Sequence, residues 1–220
     1  MEFLDIYNEN GEHIGKEERL KVHERGLWHK TVHCWLFDKA GYVYFQIRHD
    51  EKTLYTTASG HIMAGETVEQ GFAREIREEI GYEVPYTKAI HLETFKFYLD
   101  KVKKDGTEFH DRVFANIYTC EFDGDISKFK YDPNELDGLV KVKADEALAL
   151  FEKEEGQIDG FLIESRDGKM IMEPKKVDFS EFLVNKGETA LGKYGNVLKG
   201  IIKILKGEWY AKDKRTENSW

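Results

Sequence analysis

The sequence has few of the residues that mark several large classes of protein. Its 220 residues include only two cysteines, Cys34 and Cys120, too few for a secreted scaffold held by several disulfides. The longest apolar runs are a few residues long, far short of the roughly 20 residues that span a bilayer. The first 20 residues are acidic and lack the apolar core of a signal peptide. We therefore expect a cytoplasmic protein with two free, buried thiols, a Cys34–Cys120 disulfide being the alternative.

Basic residues are also too few for a constitutive nucleic-acid-binding protein. The chain has 33 Lys and Arg against 42 Asp and Glu, which gives a formal net charge of −9 at pH 7. Proteins that bind nucleic acid normally carry a basic stripe that pairs with phosphate. Hydrophobic residues make up 40% of the chain, enough to bury a core, and no internal repeat is present. We expect one compact domain with an appendage and neither nucleic acid nor membrane as a partner.

Hydrophobic periodicity predicts a mixed order of strands and helices. The helix over residues 67–80 has the clearest pattern, because Val68, Phe72, Ile76 and Ile80 recur every four positions and Gly81 follows. The other predicted helices cover 144–154 and 191–209. The predicted strands cover 3–7, 13–16, 29–38, 42–48, 56–62, 91–99, 108–122 and 139–142.

Three carboxylates fall on one face of the helix over 67–80. Glu75, Glu78 and Glu79 are three and four residues apart, so they are neighbours on the helix surface next to the apolar stripe. Like charges at this spacing lower helix stability, and a hard divalent cation such as Mg²⁺ or Mn²⁺ relieves the repulsion through oxygen ligands. A merely solvated acidic face is the alternative.

The segment that contains these carboxylates resembles the Nudix box. That pattern runs Gly, five residues, Glu, seven residues, Arg-Glu, an apolar residue, any residue, Glu-Glu, any residue, Gly and a bulky apolar residue. Tyr82 stands where the family prefers an aliphatic residue, and the resemblance covers roughly residues 28–153. The fixed positions are all present: Gly60, Glu66, Arg74, Glu75, Ile76, Glu78, Glu79 and Gly81.

The resemblance implies an α/β (α+β) fold, the Nudix α/β/α sandwich with a mixed sheet. We expect an N-terminal β-hairpin and linker over residues 1–27, the Nudix domain over 28–155 and a helical C-terminal extension over 156–220. Lys199, Lys203 and Lys206 flank the apolar stripe of the extension. That stripe is expected to pack on the domain or on a second copy in a homodimer, with a membrane-surface helix as the alternative.

The resemblance also implies roles for the box residues. Glu75, Glu78 and Glu79 would bind Mg²⁺ or Mn²⁺ together with the Gly60 carbonyl. Glu66 and Arg74 would form the pair that orients these carboxylates.

The implied chemistry is attack of a metal-activated water on a diphosphate, and a carboxylate must accept the proton of that water. Glu79, beside Glu78, is one candidate for this catalytic role. Glu135, in the loop that begins at Asp132, is the other, an ordinary surface residue being its alternative.

Residues around the box resemble the branch that contains isopentenyl diphosphate isomerase and its hydrolase relatives. The isomerase has an acid/base Cys where Ser59 stands, and a hydroxyl is too weak an acid to replace a tuned thiol. His29 and His61 match histidines around the second metal of that enzyme, whereas His23 is offset from the expected spacing.

Several further residues are candidates for substrate contact or a second metal. Each has a structural alternative: a hydrogen bond across the sheet, an exposed strand edge or a solvated charge. Cys34 points to the opposite face from His33 and is expected in the core. The candidates are His29, His33, His61, Arg48, Lys52, Glu108 and His110.

The function expected from these residues is metal-dependent hydrolysis of a diphosphate linkage. A nucleoside diphosphate derivative or a similar small metabolite is the expected substrate. One alternative is isopentenyl diphosphate isomerase activity, which Ser59 disfavours. The other is a non-catalytic nucleotide-binding Nudix domain, which the three intact carboxylates disfavour.

Overall fold

The computed structural model of the chain describes residues 2–102, 106–131, 136–184 and 190–209. Within these ranges, eleven strands belong to one hydrogen-bonded network and four α-helices pack on it. The strands are β1 (Phe3–Tyr7), β2 (His13–Glu18), β3 (Trp28–Phe37), β4 (Tyr42–Arg48), β5 (Leu54–Tyr55), β6 (Ala58–His61), β7 (Ile90–Val102), β8 (Glu108–Glu121), β9 (Leu136–Lys143), β10 (Gln157–Arg166) and β11 (Lys169–Asp178). The helices are α1 (Arg19–Arg25), α2 (Val68–Ile80), α3 (Ala144–Lys153) and α4 (Ala190–Leu205).

The sheet is mixed and centres on β3. Its main path runs β11-β10-β9-β4-β3-β1-β2, and β5 pairs with β4. β3 is antiparallel to β6 and parallel to β8 over its full length, while β8 forms a long antiparallel hairpin with β7. The predicted mixed sheet and the N-terminal hairpin β1-β2 are therefore confirmed.

Side chains alternate between two cores on the opposite faces of β3. Val32, Cys34 and Leu36 pack in the core that the apolar stripe of α2 covers. Trp35 and Phe37 pack in the core that α3 and α4 cover. Helices thus lie on both faces of the sheet, which confirms the predicted α/β/α sandwich.

Local sequence signals define both ends of α2. Thr67 caps the N-terminus in a capping box with Gln70, so that backbone and side chain satisfy each other's hydrogen bonds. Gly81 ends the helix with φ of 63°, and a Cβ atom there would lie 2.2 Å from the Lys130 carbonyl oxygen. The helix predicted over 67–80 is confirmed, with Phe72 and Ile80 fully buried.

The C-terminal extension contains strands as well as the predicted helix. β10 and β11 form a hairpin that continues the sheet beyond β9, and neither strand was predicted. α4 buries Tyr194, Leu198 and Ile201 in the same core as α3, which accounts for the apolar stripe within the chain itself. Among the described residues, no helix is long and apolar enough to cross a membrane.

Both thiols are free and buried, as predicted. Burial is the main cause of their altered acidity: it raises the pKa of Cys34 well above its usual value and that of Cys120 to about 11. Cys34 therefore stays a protonated core residue at neutral pH.

Candidate active site

The carboxylates of α2 face a groove of about 1300 Å³. Residues of α1, β3, β6, β8 and α2 line it, so the box carboxylates share one space with two of the predicted histidines, His33 and His61. Glu75 and Glu79 are half-buried at its wall, and 52% of the Glu78 side chain is exposed.

Arg74 holds this acidic cluster together. Its Nε and Nη2 donate to the two oxygens of Glu66 at 2.8 and 2.9 Å, a bidentate pair. Its Nη1 donates to Glu75 at 2.7 Å and to Glu78 at 3.1 Å, and Nη2 also reaches the carbonyl oxygen of His61 at 2.7 Å. The hydrogen bonds from Arg74 hold the pKa of Glu66 below its usual value. The expected placement of Glu66 and Arg74 as a pair beside the box carboxylates is what the structure shows.

Glu75 lies directly over Gly60. A Cβ atom at Gly60 would fall 2.1 Å from the Glu75 carboxylate, so only glycine leaves room for it. Burial raises the pKa of Glu75 despite the neighbouring Arg74 guanidinium. The Gly60 backbone and the Glu75 carboxylate therefore share one compact, partly desolvated space.

Glu79 is positioned by two donors from the sheet. The backbone N–H of Ser59 donates to its Oε2 at 2.7 Å, and Nε2 of Gln46 does so at 3.3 Å. Gln46 is 2% exposed and was not predicted as a site residue. A polar side chain among the apolar residues of β4 is the sequence signal that identifies it.

The donor set of this cluster fits a hard divalent cation. Glu66, Glu75 and Glu78 share the single guanidinium of Arg74, and Glu79 adds a fourth carboxylate nearby. The residues leave an excess of negative charge and offer oxygen ligands, which Mg²⁺ and Mn²⁺ prefer.

A second cluster of possible metal ligands lies beside this groove, which two of its histidines, His23 and His61, line. One nitrogen from each of His23, His29 and His61 can be chosen so that all three lie within 4.8 Å of one another. The Nδ1 atoms of His23 and His29 contact the backbone carbonyls of Arg19 and Leu27 at 2.8 and 3.0 Å, a contact that places the proton on Nδ1. Their Nε2 atoms then present lone pairs, the usual arrangement of metal-binding histidines.

Asp111 completes this histidine cluster. Its Oδ1 lies 3.4 Å from Nε2 of His29 and 3.6 Å from Nε2 of His23. Oδ1 of Asp111 and Nε2 of His29 are both buried without a hydrogen-bond partner in the described ranges, because two acceptors face each other. Burial raises the pKa of Asp111 to about 6 and lowers that of His29 to about 4. These orphaned acceptors fit a divalent cation between them.

The structure brings in two residues here that the sequence reasoning missed. The spacing of His23 is offset from the expected pattern, yet α1 places its Nε2 atom 3.3 Å from Nε2 of His61. Asp111 shares its strand face with the buried Val113, and an acid in that apolar row is the signal that could have found it.

The remaining candidates occupy varied places. His33 lines the groove, and burial together with the charge of Lys193 lowers its pKa to about 4. Arg48 lines the groove and pairs with Asp50, whereas Lys52 pairs with Asp137.

Two strand candidates and one loop candidate complete the set. Glu108 lines the groove, and His110 contacts Asp100 at 2.8 Å. Glu135 lies outside the described residues.

Comparison with known proteins identifies the family. The NUDIX domain model matches residues 27–161, more than half of the chain. A protein named as an uncharacterized Nudix hydrolase from Clostridium acetobutylicum is 32% identical over 216 residues, covering 91% of this chain and 97% of that protein. An isopentenyl-diphosphate Delta-isomerase from Serratia proteamaculans is 24% identical over 128 residues, covering 56% of this chain and 68% of the isomerase.

A solved structure supports the fold independently. A crystal structure of a protein from Deinococcus radiodurans aligns with a TM-score of 0.52 at 24% identity, covering 69% of this chain and 89% of that one. This likeness concerns the fold alone. The family match, the relative from Clostridium and the complete box together show that the chain belongs to the Nudix hydrolase family.

Proposed function

We propose that the chain is a metal-dependent enzyme that hydrolyses a diphosphate linkage in a nucleoside diphosphate derivative or a similar small metabolite. The observation that carries this proposal is the acidic cluster at the groove, in which Arg74 pairs with Glu66, Glu75 and Glu78 and the Glu79 carboxylate lines the same groove. A Cβ atom at Gly60 would lie 2.1 Å from the Glu75 carboxylate, so this carboxylate and the backbone of β6 lie side by side in the cluster.

The reaction consumes one water molecule. Its oxygen bonds to one phosphorus, the bond between that phosphorus and the bridging oxygen breaks, the bridging oxygen departs with the other phosphate, and a carboxylate accepts the released proton. Among the residues that the structure describes, Glu79 is the candidate for that carboxylate, because Ser59 and Gln46 fix its position in the groove. Glu78 adjoins it on α2, and Glu135 stays the second candidate for the base.

The metal ligands are proposed in two groups. Glu75, Glu78, Glu79 and the carbonyl of Gly60 would hold Mg²⁺ or Mn²⁺. The histidine cluster of His23, His29 and His61 with Asp111 would hold a second divalent ion. Bound divalent ions would offset the charge of the diphosphate and lower the pKa of the attacking water.

Isomerase activity is the less favoured function. Ser59 lines the groove and its backbone N–H serves Glu79, but its side chain offers no thiol for carbon acid/base chemistry. A cytoplasmic location and a homodimer stay predictions from the sequence.

A substrate screen tests the proposal. Purified protein is incubated with Mg²⁺ or Mn²⁺ and nucleoside diphosphates, nucleotide sugars, dinucleoside polyphosphates or isopentenyl diphosphate, and products are separated and identified. We expect cleavage of at least one P–O–P bond and no allylic isomer. Tight nucleotide binding without any phosphate product would instead indicate a binding domain.

A further inference from the structure

A second cavity of about 310 Å³ lies beneath α4 and is continuous with the groove. Its mouth is defined by residues that line both spaces, among them His33, Tyr55 and Lys193. α4 lies beyond residue 161, where the family match ends. The C-terminal extension, and not the matched Nudix region, therefore supplies this wall of the cavity.

The interior of this cavity is mostly apolar, although Thr31 and Asp111 also line it. Its lining includes Trp35, Phe95, Ala115, Ile117 and Val197. The indole N–H of Trp35 has no hydrogen-bond partner within the described part of the chain, although Trp35 is only 2% exposed. Since buried donors are normally paired, this N–H offers a position for a single acceptor atom within an otherwise apolar ligand group.

Lys193 brings positive charge to the mouth of the cavity. Its Nζ lies 5.2 Å from the ring centre of Tyr55, and Arg48 approaches the same ring at 6.0 Å. These two cations lie in a groove whose α2 wall carries Glu75, Glu78 and Glu79. An anion in the groove would therefore meet cations on the side where the apolar cavity begins.

We propose that the cavity beneath α4 and Lys193 form the specificity subsite of the enzyme. The cavity holds a compact, largely apolar organic group of the substrate, and Lys193 binds the phosphate oxygens next to that group. This inference rests on the proposed diphosphate hydrolysis and narrows its substrate to an organic diphosphate with an apolar group.

The size and polarity of the cavity define that group. At roughly 30 Å³ for a water-sized atom, it accommodates about ten non-hydrogen atoms, at the lower end of ligand pockets. A nucleobase has several polar atoms around its edge, whereas most of the cavity lining is apolar. Its polar groups are few: the Trp35 N–H, Thr31, His33 and Asp111, while the Tyr194 hydroxyl already donates to the Leu183 carbonyl. Unpaired polar atoms of a base would oppose binding, whereas hydrocarbon would favour it.

A chain-length series tests the apolar subsite. Binding of n-alkyl monophosphates with two to twelve carbons is measured by calorimetry, and hydrolysis of the matching alkyl diphosphates and ADP by phosphate release with Mg²⁺. We expect affinity and kcat/KM to rise about fourfold per methylene group up to about ten carbons, and octyl diphosphate to exceed ADP. Affinity that is independent of chain length, or preference for ADP, would overturn the proposal.

Two substitutions in the cavity lining test whether the alkyl chain binds there. Ala115→Leu adds three carbons to the lining. We therefore expect the increase in affinity with chain length to stop about three carbons earlier than in the wild type, with ethyl phosphate binding unchanged. Val197→Ile on α4 removes space for one methylene group, so the increase in affinity should stop about one carbon earlier. Melting temperatures confirm that each variant is folded. Equal losses of affinity for short-chain and long-chain alkyl phosphates would contradict the placement of the alkyl group in this cavity.

Lys193 is tested with a matched lysine on the same helix. Lys193→Met should weaken octyl phosphate binding about ten- to hundredfold and raise KM more than it lowers kcat, and Lys193→Arg should restore most of the loss. Lys199→Met, at an exposed position of α4, should behave as wild type. Unchanged binding by Lys193→Met would refute its role. If the wild type cleaves no diphosphate, the proposed function fails, while the binding measurements still decide on the subsite.

Discussion

The Glu75 carboxylate occupies the space that a side chain at Gly60 would need, since a Cβ atom there would lie 2.1 Å from it. Glu75 reaches this position from α2 and Gly60 from β6, so the contact joins helix and sheet at the candidate active site. The glycine of the box is therefore a steric requirement of the neighbouring carboxylate.

The variant Gly60→Ala should displace Glu75. We expect a loss of about 1 to 3 kcal/mol in the free energy of unfolding, the usual cost of overpacking, and a large loss of hydrolysis. Denaturant unfolding of the single variants and of Gly60→Ala/Glu75→Ala measures the coupling. A coupling free energy of at least about 1 kcal/mol is predicted, and strictly additive effects would show that the clash is not the cause.

Replacing Arg74 by Lys should damage the acidic cluster although the charge is kept. Lys cannot reproduce the bidentate pair with Glu66 or reach Glu75, Glu78 and the His61 carbonyl together, so we expect at least about 1.5 kcal/mol of destabilisation. The matched control is Arg77→Lys, at an exposed position on the same helix. Equal unfolding free energies for the two variants would refute the role of Arg74.

His33 should make stability depend on pH. Burial, and to a smaller extent the charge of Lys193, lowers the pKa of His33 in the folded protein from 6.5 to about 4. Between these two pH values the imidazole is protonated in the unfolded state and neutral in the folded state. The free energy of unfolding should therefore fall as pH decreases from 6.5 toward 4, by at most about 1.4 kcal/mol per pH unit from this group. His33→Gln should reduce that slope in metal-free unfolding experiments. A slope unchanged by His33→Gln would contradict the prediction.

The histidine cluster should bind a divalent ion independently of the box. We expect calorimetry on chelator-treated protein to show Mn²⁺ or Zn²⁺ binding that His29→Asn weakens at least about tenfold. Glu79→Gln should leave that binding event in place because it removes no ligand of the cluster. Identical binding isotherms for wild type and His29→Asn would exclude the proposed second metal.

Local sequence patterns predicted the elements that build the box, but not the contacts that complete the site. The four-residue apolar spacing and Gly81 define α2 whatever surrounds them, and its carboxylates follow from the helix geometry. His23 lies on the short helix α1, which ends at Gly26 in the left-handed conformation before β3 begins, and its Nε2 lies 3.3 Å from Nε2 of His61 on β6. That approach depends on tertiary packing, which spacing along the sequence does not encode.

The strands of the C-terminal extension were missed for a related reason. Gly160 lies inside β10, where glycine weakens a strand signal. A Cβ atom there would lie 2.8 Å from the Lys141 carbonyl oxygen of β9, so the glycine serves the close approach of the two strands. The neighbouring strand, which the local pattern does not show, decides the conformation.

The central claim is that the carboxylate edge of α2 carries out diphosphate hydrolysis, and one comparison tests it most directly. Turnover of the best substrate with Mg²⁺ is measured for wild type, Glu79→Gln and Glu69→Gln, the last at an exposed position of the same helix. We predict at least about a hundredfold loss of kcat for Glu79→Gln with its melting temperature kept, and no loss for Glu69→Gln. A fully active Glu79→Gln enzyme would contradict the claim.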